Sequence, residues 1–246
     1  MNSCVSVSIT GMNTQKQSIP RPFILGIFLS CIFGLTLVSF GQTSGFKLVL
    51  RDGLNGYNGT EDFYTLRMEG GVFNSKTDLD DQTLKVSPLD SDTKFLMRFD
   101  KIPMSRSSFG MVYRIALKLT LKEPPQTDTI MIHNLNARDL WSERDGSYNS
   151  LNGTAPWSGV DGKLIDAWRG TDATARITGS EKVSSTVTFE FHPNDASARM
   201  AVLESWIDGG NQGFVVCGIS AKNEFYSSDA YNPALRPELI IEYSPR

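Results

Sequence analysis

Beyond its first 41 residues the chain is written in short runs of alternating apolar and polar positions. In "KFLMRFD", Phe95, Met97 and Phe99 fall on one side and Leu96 and Arg98 on the other. "IALKLTLK" sets Ile115, Leu117, Leu119 and Leu121 against Lys118, Thr120 and Lys122. "SSTVTFEF" sets Val187, Phe189 and Phe191 against Thr186, Thr188 and Glu190. A period of two marks β-strands with one buried and one wet face. Met97, Phe99, Leu117, Leu119, Phe189, Ile241 and Tyr243 are therefore expected inside, and Lys118, Thr188 and Glu242 outside. "GFVVCGI" is apolar on both faces, as a central strand would be. Clusters of Gly, Pro, Asn and Asp divide the runs. The pattern predicts an all-β fold, a sandwich or barrel of antiparallel strands.

One stretch breaks the alternation. In "DASARMAVLESWIDGG", Val202, Leu203, Trp206 and Ile207 recur at helical spacing. Asp195 or Ser197 can cap the start and Gly209-Gly210 can end it, which predicts one short helix over a sheet edge. The chain closes on "RPELIIEYSPR", another alternating run. Pro237 fixes its own φ and biases Arg236 to an extended shape, so a last strand paired inside a sheet is expected. Between His133 and Gly179 the strands fade. That region is rich in Asn, Gly, Asp and Ser, and it carries Trp141, Trp157 and Trp168.

The first 41 residues read as a signal peptide. Lys16 and Arg21 are their only charges, an apolar run from Phe23 to Val38 follows, and Ser39-Phe40-Gly41 closes the segment. The run is shorter than the roughly 20 residues a spanning helix needs. Cleavage after Gly41 would leave Gln42–Arg246 as one domain, secreted or held in the cell envelope and free of the membrane. An uncleaved anchor is the alternative.

The chain carries a net charge of −3, and losing Lys16 and Arg21 makes it more acidic. That balance argues against nucleic-acid partners, which reward basic patches. Cys4 and Cys31 lie in the leader. Cys217 is then the one cysteine of the mature sequence, which allows no internal disulfide, and it reads as a buried small hydrophobe.

The pieces "DGLNGYNGTEDFYTLR", "QTLKVS", "FLMRFDKIP", "ALKLTL", "LWSERDGSYNS", "GTAPW", "ESWIDGGNQGFVV", "NEFYSS" and "RPELIIEY" follow one another in family order. Together they make the chain resemble the DNRLRE-domain (disaggregatase-related) proteins. It is similar too to the carbohydrate-binding modules of alginate-degrading enzymes. The resemblance implies an exported, jelly-roll-like antiparallel β-sandwich, often a non-catalytic appendage on polysaccharide-active enzymes. Tyr148 stands where the family pattern carries a second Trp, and "DAWRGTD" reads as an addition.

Sugar rings present flat apolar C–H faces, so exposed aromatic rings with nearby amides and carboxylates suit them. Tyr148, Trp157 and Trp168 are the candidate rings, with Asn149 and Asp161 as polar partners. The same rings could instead plug the sandwich. Asp52, Asn55 and Asp62, on a Gly-bent opening with Asn58, offer hard oxygen donors for a structural calcium. Asp78–Asp81 is a second such group. Glu143, Asp145 and Asp166 could make an acid/base pair, and no catalytic residue is assigned. The sequence thus points to a monomeric, non-catalytic polysaccharide-binding module. A structural or adhesive envelope protein and a polysaccharide lyase or hydrolase are the alternatives.

Overall fold

The structure, a computed structural model, describes residues 45–67, 73–74, 82–88, 93–135, 138–147, 150–158, 164 and 171–246. All of these belong to one compact unit, Gln42–Arg246. The leader, Tyr148, Asn149, Asp161, Asp166, Trp168 and Asp78–Asp81 lie outside the described residues.

Twelve strands are described: β1 (Phe46–Leu50), β2 (Thr60–Arg67), β3 (Phe73–Asn74), β4 (Thr83–Val86), β5 (Lys94–Phe99), β6 (Met111–Thr120), β7 (Asp128–Asn134), β8 (Ala173–Ile177), β9 (Thr186–Glu190), β10 (Phe214–Gly218), β11 (Asn223–Tyr226) and β12 (Glu238–Ser244). The first sheet has the order β1-β12-β6-β9 and the second β3-β2-β5-β10-β7-β8, while β11 pairs with β4. Every pairing is antiparallel. Number β1, β5, β6, β7, β8, β9, β10 and β12 as strands one to eight. The sheets then read 1-8-3-6 and 2-7-4-5, which is the jelly-roll order. The fold is an all-β, antiparallel jelly-roll sandwich with one short helix.

The main core lies between the two sheets, where the alternation directs it. Met97, Phe99, Leu117, Leu119, Phe189 and Ile241 are all buried there, while Thr188 is exposed. Lys118 and Glu242 are half-exposed and ion-paired, with Glu238 at 3.2 Å and Arg114 at 3.5 Å. Tyr243 departs from expectation. It is only half-buried, because the register shifts between Glu242 and Tyr243 and its ring stacks on exposed Phe46. β10 is central, between β5 and β7, and Cys217 is buried in it. β12 lies between β1 and β6, so the last strand is inside a sheet.

The larger departure is the outer face of the second sheet. Leu96 and Arg98 were expected to be wet; both are buried. With Phe63, Val215 and Cys217, Leu96 forms a second apolar cluster that also holds Leu135, Trp141, Leu151, Trp157 and Leu164. The segment that lacks strand periodicity is thus a cover laid over this sheet, and both faces of β5 are dry.

Helix α1 (Ala196–Ser205) starts at Asp195, whose side chain accepts the Ala198 N–H at 2.9 Å. A π turn, Trp206–Gly210, follows, and Gly209 ends it at φ 84°. The helix packs on the start of β6, an inner strand rather than a sheet edge, where Arg199 Nε donates to the Val112 carbonyl at 3.2 Å. Leu203 and Trp206 face the core.

Leu119 is fully buried. Leu119→Ala should cost roughly 2–5 kcal/mol in denaturant titrations. Thr188→Ala, on the exposed side of neighbouring β9, should stay within about 0.5 kcal/mol. Equal costs at the two positions would contradict the assignment of faces.

Candidate functional site

The cover is fastened through one side chain. Arg98, on β5, points outward from the second sheet and is 9% exposed. Its Nη2 donates to Glu61 at 2.7 Å, its Nε to Asp100 at 3.0 Å and its Nη1 to the Trp141 carbonyl at 3.1 Å. The guanidinium also lies over the Trp141 ring, 4.7 Å from its centroid. Charged hydrogen bonds to two carboxylates, with a ring beneath, offset the cost of burying the cation. Trp141 Nε1 in turn donates to the Gln212 carbonyl at 2.7 Å.

Beside this contact lies a cleft of about 390 Å³, lined by Arg98, Asp100, Lys101, Ile102, Leu140, Trp206, Ile207, Gly209, Asn211 and Gln212. It forms where β5 ends and where the π turn leads into β10. Gly213 must be glycine: it sits at φ 69°, and a Cβ there would collide with the Met97 carbonyl. That close approach draws Asn211 and Gln212 against the end of β5, where Asn211 Nδ2 donates to the Phe99 carbonyl at 2.7 Å. Lys101 holds a left-handed conformation, φ 55°, uncommon for a residue with a side chain. Leu140 is 66% exposed. Gln212 is 2% exposed, and its Oε1 is buried with no hydrogen-bond partner among the described residues. A buried acceptor left unmet is costly.

The expected site residues fare differently. Trp157 is 2% exposed, with its Nε1 donated to the Ser147 carbonyl at 2.9 Å. It is part of the cover and offers no face for stacking, so this candidate is corrected. Asp52 Oδ1 accepts the Thr60 N–H at 3.0 Å, Asn55 is exposed at φ 53°, and Asp62 is buried with Oδ2 accepting the Ser228 N–H at 2.8 Å. Among the described residues no group of three or more His, Cys, Asp or Glu is arranged to hold a metal ion. No described helix is long and apolar enough to cross a membrane. Asn211 and Gln212 stand in "ESWIDGGNQGFVV", which the sequence marks as a helix stop and as one of the family-like pieces, not as a site.

Asp62 and Glu143 share one electrostatic environment. Burial, then the nearby Asp229 and Asp52 charges, push the Asp62 carboxyl up to about 7, against the Ser228 hydrogen bonds. Burial, then the charges of Asp62, Asp229 and Glu61, push Glu143 up to about 8. A separate pocket of about 340 Å³ holds His192, whose Nε2 lies 3.1 Å from Asp172 Oδ1. The other Asp172 oxygen accepts the Asn134 N–H at 2.7 Å.

No protein-family model matches the chain, and no curated protein matches it significantly.

Both raised carboxyls hold protons in the folded chain that the unfolded chain has already released above pH 4–5. Their contribution is therefore present at acid pH and lost as pH rises through about 7 and 8. Thermal melts should give a higher Tm at pH 5.5 than at pH 8.5, and Asp62→Asn should flatten that fall. A Tm that rises across this window would contradict the assignment.

Proposed function

We propose that the chain is an exported, non-catalytic, polysaccharide-binding module of the DNRLRE type, with its binding site in the Gln212 cleft. The observation that carries this reading is the concave site itself, where Leu140, Ile102 and Trp206 stand beside Arg98, Asp100, Asn211 and Gln212. A few fixed polar groups on an apolar wall suit a polyhydroxylated ligand. The jelly-roll order agrees with what the family resemblance implies, and the acidic balance suits a partner other than nucleic acid. Export rests on the leader, through Lys16, Arg21 and the apolar run. Of the ring candidates, Trp157 is spent on the cover, while Tyr148 and Trp168 lie outside the described residues.

The test is a panel of soluble polysaccharides, neutral glucans and galactans beside polyuronates, titrated calorimetrically into Gln42–Arg246. At least one should bind with Kd below about 1 mM. Gln212→Met keeps the side chain's length and removes the unmet acceptor. It should leave Tm unchanged or raised while weakening that polymer about two- to tenfold, the worth of one hydrogen bond. Wild-type silence across the panel would favour a structural envelope protein, and unaltered affinity in Gln212→Met would remove the cleft from the account.

A further inference from the structure

The sequence holds three Asn-Gly steps: Asn55-Gly56, Asn58-Gly59 and Asn152-Gly153. Such a step carries its own chemistry. The backbone nitrogen of the glycine can attack the side-chain amide carbon of the asparagine, because no Cβ stands in its way. The attack needs a free nitrogen, an untethered side chain and room for the peptide to turn. The three steps meet these needs differently.

Asn152 is tied down. Its Oδ1 accepts the Ala155 N–H at 3.0 Å, the Thr154 N–H at 3.4 Å and the Thr154 hydroxyl at 3.2 Å. The Gly153 N–H is donated to Ser150 Oγ at 3.2 Å. Both the carbon to be attacked and the nitrogen that would attack it are fixed. Asn58 is exposed, but Gly59 is buried. The Gly59 carbonyl accepts the Asp100 N–H at 2.6 Å, and a Cβ on Gly59 would lie 2.6 Å from the Asp100 carbonyl oxygen. That peptide is wedged against the end of β5, and turning it would part the start of β2 from its partner strand.

Asn55-Gly56 is the open step. Both residues are exposed. They are the central pair of a turn closed by the Tyr57 N–H to the Leu54 carbonyl at 3.0 Å, with φ of 53° and 79°. This is the mirror-image turn that Asn-Gly favours. Nothing lies within 4 Å of where a Gly56 Cβ would stand. Among the described residues neither the Asn55 side chain nor the Gly56 N–H makes a hydrogen bond. An exposed loop tip held so lightly opens at little cost in free energy.

We infer that Asn55 is a built-in deamidation site, the step at which the folded chain turns an amide into a carboxylate. The Gly56 nitrogen bonds to Asn55 Cγ. The Cγ–Nδ2 bond breaks, and ammonia leaves with the proton that Gly56 gives up. The five-membered imide that results takes up one water at either of its carbonyls. It opens to aspartate, or to isoaspartate, whose backbone is one carbon longer. One water enters, one ammonia departs, and the chain gains one negative charge. That charge stands between Asp52 and Tyr57 in the chain, and the Tyr57 hydroxyl donates to the carbonyl of Asp100, a residue of the cleft, at 2.8 Å.

The test holds Gln42–Arg246 folded at pH 8.5 and samples it over days. Digestion and fragment-ion mass spectrometry read each conversion as a gain of one dalton at a named asparagine. Asn55 should convert at least about tenfold faster than Asn58 or Asn152. In denaturant the three should fall within about threefold of one another, because the fold no longer separates them. Asn55→Asp should keep Tm and abolish the early mass gain of the folded protein. Equal rates at the three steps in folded protein, or Asn58 or Asn152 ahead of Asn55, overturn the inference. So does an early mass gain that persists in Asn55→Asp. The outcome is independent of polysaccharide binding.

Discussion

The buried Arg98 cation is the constraint on which the rest of the second sheet depends. It stands on the face of β5 that alternation assigns to solvent. There it is held by Glu61, Asp100, the Trp141 carbonyl and the Trp141 ring. Removing one partner of such a contact leaves a buried charge without compensation, which is far costlier than losing a surface pair. The contact therefore ties the cover to the sheet. Under it, Leu96, Val215, Phe63 and Trp157 bury apolar surface that the strands alone would have left in water. Trp141, fixed from one side by Arg98, fixes the Gln212 backbone on the other, so cover, sheet and cleft floor form one chain of contacts.

That arrangement explains why a binding site would sit at the end of the sandwich. Both faces of the second sheet are taken, one by the main core and one by the cover. The inner face of the first sheet is taken too, and its outer face carries the ion pairs of Arg114 and Lys118. The end where β5 crosses to β6 and where the π turn enters β10 carries one of the open clefts among the described residues. Loops held by a rigid scaffold are where recognition groups collect. Here the scaffold holds Lys101 in a left-handed conformation and Gly213 against the Met97 carbonyl.

The strand faces were legible because alternation is local: each residue states its own side, and the inward positions of β6 and β9, and of β12 as far as Ile241, obeyed. The jelly-roll order was not in the alternation. It came from family likeness, and pairing between distant strands such as β1 and β12 leaves no local mark. Leu96 and Arg98 misled for a related reason. A run of two faces says that one is apolar, but not that an irregular segment forty residues away will cover the other. Trp141 and Trp157 gave the right residue type for either stacking or covering, and only burial separates the two. Tyr148, Asn149, Asp161 and Trp168 lie outside the described residues. Gln212 was hidden because a lone glutamine after a helix stop carries no spacing signal. Its place in the cleft lining exists only in three dimensions.

The most direct test is a titration followed by NMR on uniformly labelled Gln42–Arg246, with the best-binding oligosaccharide as ligand. The four tryptophans of the chain give four indole N–H signals. If the cleft is the site, the Trp206 indole and the Gln212 side-chain amide move with saturating dependence on ligand. The Trp157 indole, bonded to Ser147 inside the cover, stays in place. Movement of the Trp168 indole with Trp206 and Gln212 still would contradict the account and return the site to the aromatic loop.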